Sequence, residues 1–253
     1  MQIKVQDIFQ LGEHRLACGD AKDASVVKKL ISDDRISLIV TDPPYGVAYV
    51  EGKADLTNIK LRSKIILNDH EQTESTYRRF TKDWLAVAKP YLSRKNSFYI
   101  FNSDKMVFSL RDGIIEAEYR LTQLLIWIKN NVVVGRLHYL PQHELIAYGW
   151  FGSHEFYKAK DKSILIYPKP NKSPLHPTMK PVGLLRNLIL NSSKIGDYVY
   201  DPFGGSGSTL IACDQTKRKC LMIELDPEYC QAIITRFEKV TGQKAERITI
   251  YGK

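Results

Sequence analysis

Apolar positions along the chain fall into two rhythms. Short β-branched and aromatic runs closed by turn residues predict strands at "RLACGD" (ending at Gly19-Asp20), "ISLIV", "SFYIFNS", "LTQLLIWIK", "HELIAYGW" and "SILIYP". Between them, apolar residues three and four positions apart predict amphipathic helices. "DASVVKKLI" is one, with Asp23 as its N-cap, and "TESTYRRFTKDWLAVAK" is another, ending near Lys89 because Pro90 disfavours continuation. Helices are also expected in "DKMVFSLRDGIIEA" and in "PVGLLRNLILNSS", where Pro181 suits the first turn. The last third reads as strand "DYVYD", turn "PFGGSGS", helix "TLIACDQT", strand "KCLMIEL" and a helix from "DPEYCQAIITRF". Strands alternating with helices predict an α/β fold with a largely parallel, doubly wound sheet, here as a single domain over residues 1–253. Residues 46–63 show no sustained period and are expected to form a long loop, functional or disordered.

Composition changes this picture little. An apolar fraction of 43% and a charged fraction of 26% are those of a soluble globular protein. No apolar stretch approaches the roughly 20 residues of a membrane span, and the N-terminus lacks a signal-peptide core, so no membrane partner and a cytoplasmic location are expected. Cys18, Cys213, Cys220 and Cys230 lack metal-ligand spacing and read as core thiols, with no metal site. The net charge of +9 is more informative, because it suggests a polyanionic partner. From Lys129 to Lys180 eight basic residues face three acids, interleaved with Tyr139, Tyr148, Trp150, Phe151, Phe156, Tyr157 and Tyr167. Such a stretch is either a solvated face or a nucleic-acid contact.

Three segments carry candidate chemistry. In "DPFGGSGSTLIA" a strand passes through glycines into a helix, so backbone can approach a ligand closely. The lysine of a phosphate-binding loop is missing, and Leu210 stands where a dinucleotide fingerprint has glycine. Asp201 at the strand tip suits a cationic or nucleoside-like ligand, and Glu224, about twenty residues on, suits the hydroxyls of a ribose. In "TDPPYGVAY" the two prolines stiffen the chain and remove N–H donors. Asp42 and the proline carbonyls then present acceptors to an amino group, with Tyr45 as a stacking plate. In "HPTMKPVGLL" His176, Thr178 and Lys180 stand beside a helix start set by Pro181.

Together these segments resemble the β-class (permuted) amino-methyltransferases of DNA, which use S-adenosylmethionine. "TDPPYGVAY" is similar to their catalytic motif, and "DPFGGSGST" to their cofactor loop. "HPTMKPVGLL" is similar to the segment beside the cofactor's methionine end, and "LACGDA" to the one bringing an acid near its adenine. The resemblance runs from Leu11 to Phe237, with the catalytic motif first and the cofactor loop last. It implies a Rossmann-like methyltransferase fold closing with an antiparallel hairpin, and catalytic roles for Asp42, Pro43, Pro44 and Tyr45. It also implies cofactor contacts from Asp20, Thr178, Lys180, Pro181, Asp201, Phe203, Gly204, Gly205, Gly207, Glu224 and Asp226. The expected activity is transfer of a methyl group to the exocyclic amine of a flipped base in duplex or single-stranded DNA. Asp at the head of the motif favours adenine over cytosine-N4. A nucleic-acid-binding module with a vestigial cofactor fold is the reading from another class, and a homodimer is allowed. The interval between "WIKNN" and "HPTMKP" is short, so target recognition should fall to the basic, aromatic segment around 130–175, with modest selectivity.

Overall fold

The computed structural model describes residues 2–46, 72–132, 138–158, 160–169 and 179–248. Its elements in chain order are β1 (Ile8–Leu11), β2 (His14–Cys18), α1 (Ala24–Ile31), β3 (Ile36–Thr41), α2 (Glu74–Ala88), β4 (Leu92–Asn102), α3 (Val107–Glu116) and β5 (Arg120–Ile128). Then come β6 (His143–Trp150), β7 (Ile164–Ile166), α4 (Val182–Ser192), β8 (Tyr198–Asp201), α5 (Ser208–Thr216), β9 (Lys219–Glu224), α6 (Pro227–Thr241) and β10 (Ala245–Ile248). Most of the 46–63 loop expectation lies outside the described residues.

Among the described residues the strands form one sheet in the order β10-β1-β2-β9-β8-β3-β4-β6-β5-β7. Pairing is parallel from β2 through β9, β8 and β3 to β4. It turns antiparallel at both flanks, where β1 joins β2 and β10, and β6 joins β4 and β5. "HELIAYGW" and "SILIYP" become β6 and β7, which flank β5 on either side. Strands β1 and β10, the latter at the edge of the sheet, were not foreseen, since four residues are too few to show a period of two.

Alternation along the central strands builds two cores. Leu38 and Val40 of β3 join one cluster with Leu185, Leu188, Leu210, Ile233 and Phe237, which places α4, α5 and α6 on that face. Ile36 and Ile39 join the other with Val27, Leu30, Trp84, Leu85, Leu110 and Ile114, which places α1, α2 and α3 opposite. The local stops are those the residues dictate. Asp23 accepts the Ser25 N–H at the start of α1, Thr73 accepts the Thr76 N–H at the start of α2, and Pro90 sits in a 3₁₀ turn that ends α2. Pro181 is the N-cap of α4, one position before its first helical residue. All four cysteines are buried and none forms a disulfide. No helix among the described residues is long and apolar enough to cross a membrane.

The topology places the site. The chain leaves β8 through α5 to β9 on one side, and leaves β3 through α2 to β4 on the other. β3 and β8 are adjacent and parallel, so a crevice opens at their carboxyl ends, where open α/β sheets bind ligands.

The antiparallel flank carries its own packing constraint at Gly149 of β6. A Cβ built there would lie 1.9 Å from the Arg120 carbonyl oxygen and 2.6 Å from the Phe98 ring. Backbone cannot give way as a side-chain tip can, so Gly149→Ala is expected to cost roughly 1–3 kcal/mol or more. Chemical denaturation showing wild-type stability for Gly149→Ala would contradict this account of the β5–β6 pairing.

Candidate active site

The segment after β3 and the turn after β8 meet in a cavity of about 170 Å³. Asp42, Pro43, Pro44 and Tyr45 line it from one side, and Asp201, Phe203, Gly204, Gly205, Glu224 and Asp226 from the other. Asp20 and Lys180 also reach it. Pro181 and Gly207 are not among its lining residues; they shape the chain behind it, Gly207 with a left-handed φ of 73° at the start of α5. Thr178 lies outside the described residues.

The β8 side holds two buried carboxylates on a glycine turn. Asp201 is 3% exposed, yet its carboxylate accepts from Thr41 Oγ1 at 2.7 Å and from the Phe203 N–H at 3.2 Å. Glu224 accepts from the Gly205 N–H at 2.7 Å and the Asp226 N–H at 2.9 Å, which fixes the turn against the tip of β9. Gly204 packs so closely on Met222 that a Cβ would come within 2.8 Å of its side chain. Asp226 caps α6 through the Glu228 N–H at 2.8 Å, and Asp20 holds the Lys22 N–H at 2.9 Å. Phe203 closes the wall, its ring 5.6 Å from Phe80 and 5.6 Å from Trp84. Burial pushes the carboxyl groups of Asp201 and Glu224 each up to about 7, against hydrogen bonds that favour the anions.

The β3 side is a balanced charge cluster. The Tyr45 hydroxyl donates to Asp42 Oδ1 at 2.7 Å and lies 3.2 Å from Glu144 Oε2. The Lys180 ammonium pairs with Asp42 Oδ2 and, at 3.2 Å, with Glu144 Oε2. Lys129 completes the set, 3.1 Å from Glu144 Oε1. Both lysines are buried, at 6% and 4% side-chain exposure, so each would be costly without its partners. Burial opposes the charge of Lys180, but Asp42 and Glu144 outweigh it and raise its pKa. Burial raises Asp42 despite Lys180, whereas Lys180 and Lys129 together overcome burial at Glu144 and lower it. Burial and the two carboxylates push the Tyr45 hydroxyl well above its ordinary value.

The sequence motifs therefore meet at one cavity, and the structure adds two residues to them. Glu144 was embedded in "HELIAYGW" and read only as part of a strand; an acid interrupting an apolar run was the available signal. Lys129 was counted with the basic stretch, but it and Lys180 are spent in buried pairs. Thr41, which opens "TDPPYGVAY" and was given no role of its own, anchors Asp201.

A family profile described as DNA methylase, of the N6/N4 methyltransferases, matches residues 36–235. The chain belongs to this DNA methylase family. The DNA methylase is 28% identical over 255 residues to the type II methyltransferase M.HpaI of Haemophilus parainfluenzae, covering 89% of this chain and 74% of that protein. It is 23% identical over 240 residues to the type II methyltransferase M2.MboI of Moraxella bovis, covering 83% of each. Among solved structures it superposes on an M1.HpyAVI–SAM complex with a TM-score of 0.64 at 24% identity, over 87% of this chain and 98% of that one. It also superposes on the cytosine-N4-specific PvuII DNA methyltransferase with a TM-score of 0.67 at 17% identity, over 90% and 89% of the two chains. These structural matches show the fold, a Rossmann-like methyltransferase sheet.

The raised carboxyl groups of the DNA methylase have a consequence for the free protein. Asp201 and Glu224 hold protons in the folded state up to a pH of about 7, but in the unfolded chain only to about 4. The folded state then binds more protons between those values, so this contribution to stability is full at low pH and is lost as pH rises through about 7. The double variant Asp201→Asn, Glu224→Gln should flatten that decline relative to wild type when thermal midpoints are compared from pH 5 to 8. Parallel curves for the two proteins would refute the assignment.

Proposed function

We propose that this DNA methylase transfers a methyl group from S-adenosylmethionine to the exocyclic N6 amine of adenine in DNA. The observation that carries the reading is the division of one cavity into two chemically different ends. One end offers buried carboxylates on a glycine turn and no lysine within that turn. The other offers a carboxylate and proline carbonyls beside an aromatic ring.

The β8 end fits the cofactor on chemical grounds. Asp201 and Glu224 are acceptor-only groups whose charge burial disfavours, and a cationic nucleoside-like ligand offsets that cost. Glu224 and Asp20 would hold the nucleoside, Phe203 would pack on it, and Asp201 would face the charged portion. S-adenosylmethionine supplies, when bound, an electrophilic methyl group on a positively charged sulfur. Thr178, Lys180 and Pro181 belong to the segment assigned to its methionine end by resemblance, although the Lys180 ammonium points to Asp42.

At the β3 end the chain's own groups meet the acceptor base. An exocyclic amine is a poor nucleophile because its lone pair is conjugated with the ring. The Asp42 carboxylate and the Pro43 carbonyl accept its two hydrogens and draw the nitrogen towards tetrahedral geometry, which frees the lone pair. Those bonds strengthen as positive charge develops on nitrogen, so they lower the barrier rather than merely bind. Pro44 keeps the acceptors rigid, and Tyr45 offers a face for a base taken out of the duplex. The amine must also shed a proton, and Asp42, one of the two carboxylates on that side of the cavity, is the one assigned to receive it. An intact, charge-balanced cluster argues against a vestigial binding module.

A second reading, cytosine-N4 methylation, is favoured by the likeness to the PvuII enzyme. Both amines are flat donors of two hydrogens, and adenine rests on Asp42 heading the motif. Mass spectrometry of nucleosides from methylated DNA should show N6-methyladenine; methylcytosine as the main product would replace the adenine reading and keep the rest. Single-stranded target bases should react at least as well once bound, because extrusion then costs less.

Cofactor binding and methyl transfer should also separate by mutation. Asp42→Ala is expected to leave cofactor affinity within a few-fold while methyl transfer collapses. Glu224→Ala should weaken the cofactor by about 1.5–3 kcal/mol, the scale of a hydrogen bond to a charged group. Calorimetric titration finding the larger loss in Asp42→Ala would reverse the two assignments.

A further inference from the structure

Glu144 has no place in the sequence motifs, yet it touches Tyr45, Lys180 and Lys129, the groups gathered around Asp42. Its Oε2 receives both the Tyr45 hydroxyl and the Lys180 ammonium at 3.2 Å, and its Oε1 receives Lys129 at 3.1 Å. It sits within β6, between β4 and β5, with Trp127 of β5 as its direct neighbour across the ladder. Tyr45 and Lys180, by contrast, stand on irregular chain, Tyr45 after β3 and Lys180 before α4. Lys129 is pinned in turn, its N–H to the Gln142 carbonyl at 2.8 Å and its carbonyl to the Gln142 amide at 3.1 Å. Glu144 is thus the point where two loop-borne groups are fastened to the sheet.

The charges give this position a consequence. Two lysines face two carboxylates, and Lys180 is the only one of the four groups shared by both acids. A carboxylate fully neutralised by an ammonium is a weak acceptor for anything else. We propose that Glu144 is a positioning residue for methyl transfer: by drawing part of the Lys180 charge onto itself, it sets how strongly Asp42 accepts hydrogens from the target amine. Asp42 keeps the capacity to do so, because an ionised carboxylate offers about four lone-pair sites and Tyr45 and Lys180 occupy two. When the amine takes up one of the others, Glu144 holds Lys180 in place by its second contact. Lys129 tunes the division from behind, since whatever charge it gives Glu144 lowers the claim of Glu144 on Lys180.

This inference rests on the assignment of Asp42 to the target amine, and it makes a prediction that simple loss of packing would not. The charged and titratable groups facing Asp42 are Tyr45 on its own segment, Lys180 before α4, Glu144 on β6 and Asp201 on β8. Lys129 after β5 stands behind Glu144, and Tyr77 of α2 stands beside Tyr45. Removing the Glu144 charge leaves Lys180 wholly to Asp42, so Asp42 should ionise at lower pH. Removing the Lys129 charge strengthens the hold of Glu144 on Lys180, so Asp42 should ionise at higher pH.

The test is a carbon-13 NMR titration of the Asp42 carboxyl in free wild-type protein, Glu144→Gln, Glu144→Asp and Lys129→Gln. Single-turnover methylation of duplex DNA is then followed across the same pH range. Glu144→Gln should move the titration, and the acid limb of the rate profile, down by about half a pH unit or more, and Lys129→Gln should move both up. Glu144→Asp, which keeps the charge, should stay near wild type. At neutral pH Glu144→Gln should lose about tenfold in rate, a fraction of what an acid–base group commonly contributes, with cofactor affinity within about twofold. Shifts in the same direction for Glu144→Gln and Lys129→Gln, or no shift in either, would overturn the proposal, as would an unchanged rate in Glu144→Gln. The lysine variant keeps the test open should Glu144→Gln fail to fold. If wild-type protein methylates no DNA at all, the proposed function fails, and the titration alone then shows whether the cluster is coupled; if wild type is active and the variants leave Asp42 unmoved, only the role of Glu144 falls.

Discussion

Because β3 and β8 run parallel side by side while their connections leave in opposite directions, the molecule has a crevice at the ends of the two strands, where its sheet reverses order. The hydrogen bond from Thr41 Oγ1 to Asp201 at 2.7 Å ties the two strand tips at that point. Every proposed role depends on this pairing. It puts the proposed acceptor for the target amine next to the proposed cofactor turn. Position relative to the sheet is set by ladder hydrogen bonds and by two cores pressing from opposite faces, which leaves the strand tips little freedom. A reaction that needs in-line alignment of two ligands gains from such a rigid platform.

The two halves of the crevice solve opposite electrostatic problems. On the β8 side Asp201 and Glu224 are buried with hydrogen-bond donors but, among the described residues, no ion-paired lysine or arginine, and burial raises them both to about 7. A ligand bearing positive charge relieves that situation, which makes the acids selective as well as accommodating. On the β3 side charge is already balanced within the protein, with Lys180 and Lys129 set against Asp42 and Glu144. Such a cluster suits a neutral base, because no net charge has to be supplied or removed as the base arrives. Desolvated ion pairs contribute little net stability and cost much when broken on one side. Three of them in one cavity is an arrangement that function explains better than folding does.

Legibility in the sequence followed distance along the chain. The glycine turn after β8, the Asp-Pro-Pro-Tyr segment and the cap at Asp23 are local, and each could be read from a handful of neighbouring residues. The doubly wound order followed from the alternation of strands and helices. Strands β1 and β10 were missed because four residues carry no usable period, and their pairing joins the two ends of the described chain. The contact between Lys180 and Asp42 spans 138 positions and that between Tyr45 and Glu144 spans 99, so no motif could announce them. Glu144 was visible as a carboxylate inside "HELIAYGW", but periodicity treats such a residue as a flaw in a strand. A charged residue in an apolar strand is better read as an invitation to look for its partner, since burial without one is too costly.

The same geometry reassigns part of the basic stretch. Its two end members, Lys129 and Lys180, are buried and paired, so they cannot meet a phosphate and serve the cavity instead. Lys158 is paired with Asp161 at 3.1 Å, and Asp161 is also held by the Asn187 and Asn191 amides. Among the described residues of the stretch, Lys160 and Lys162 are exposed, and Lys169 lines the cavity itself. Net charge along a sequence therefore overstates the charge a nucleic acid would feel. What survives among the described residues of the stretch is Lys160 and Lys162 on the surface and Lys169 at the cavity. On the proposed function, selectivity would draw on the fit of the base against Tyr45 and on the residues that frame Asp42.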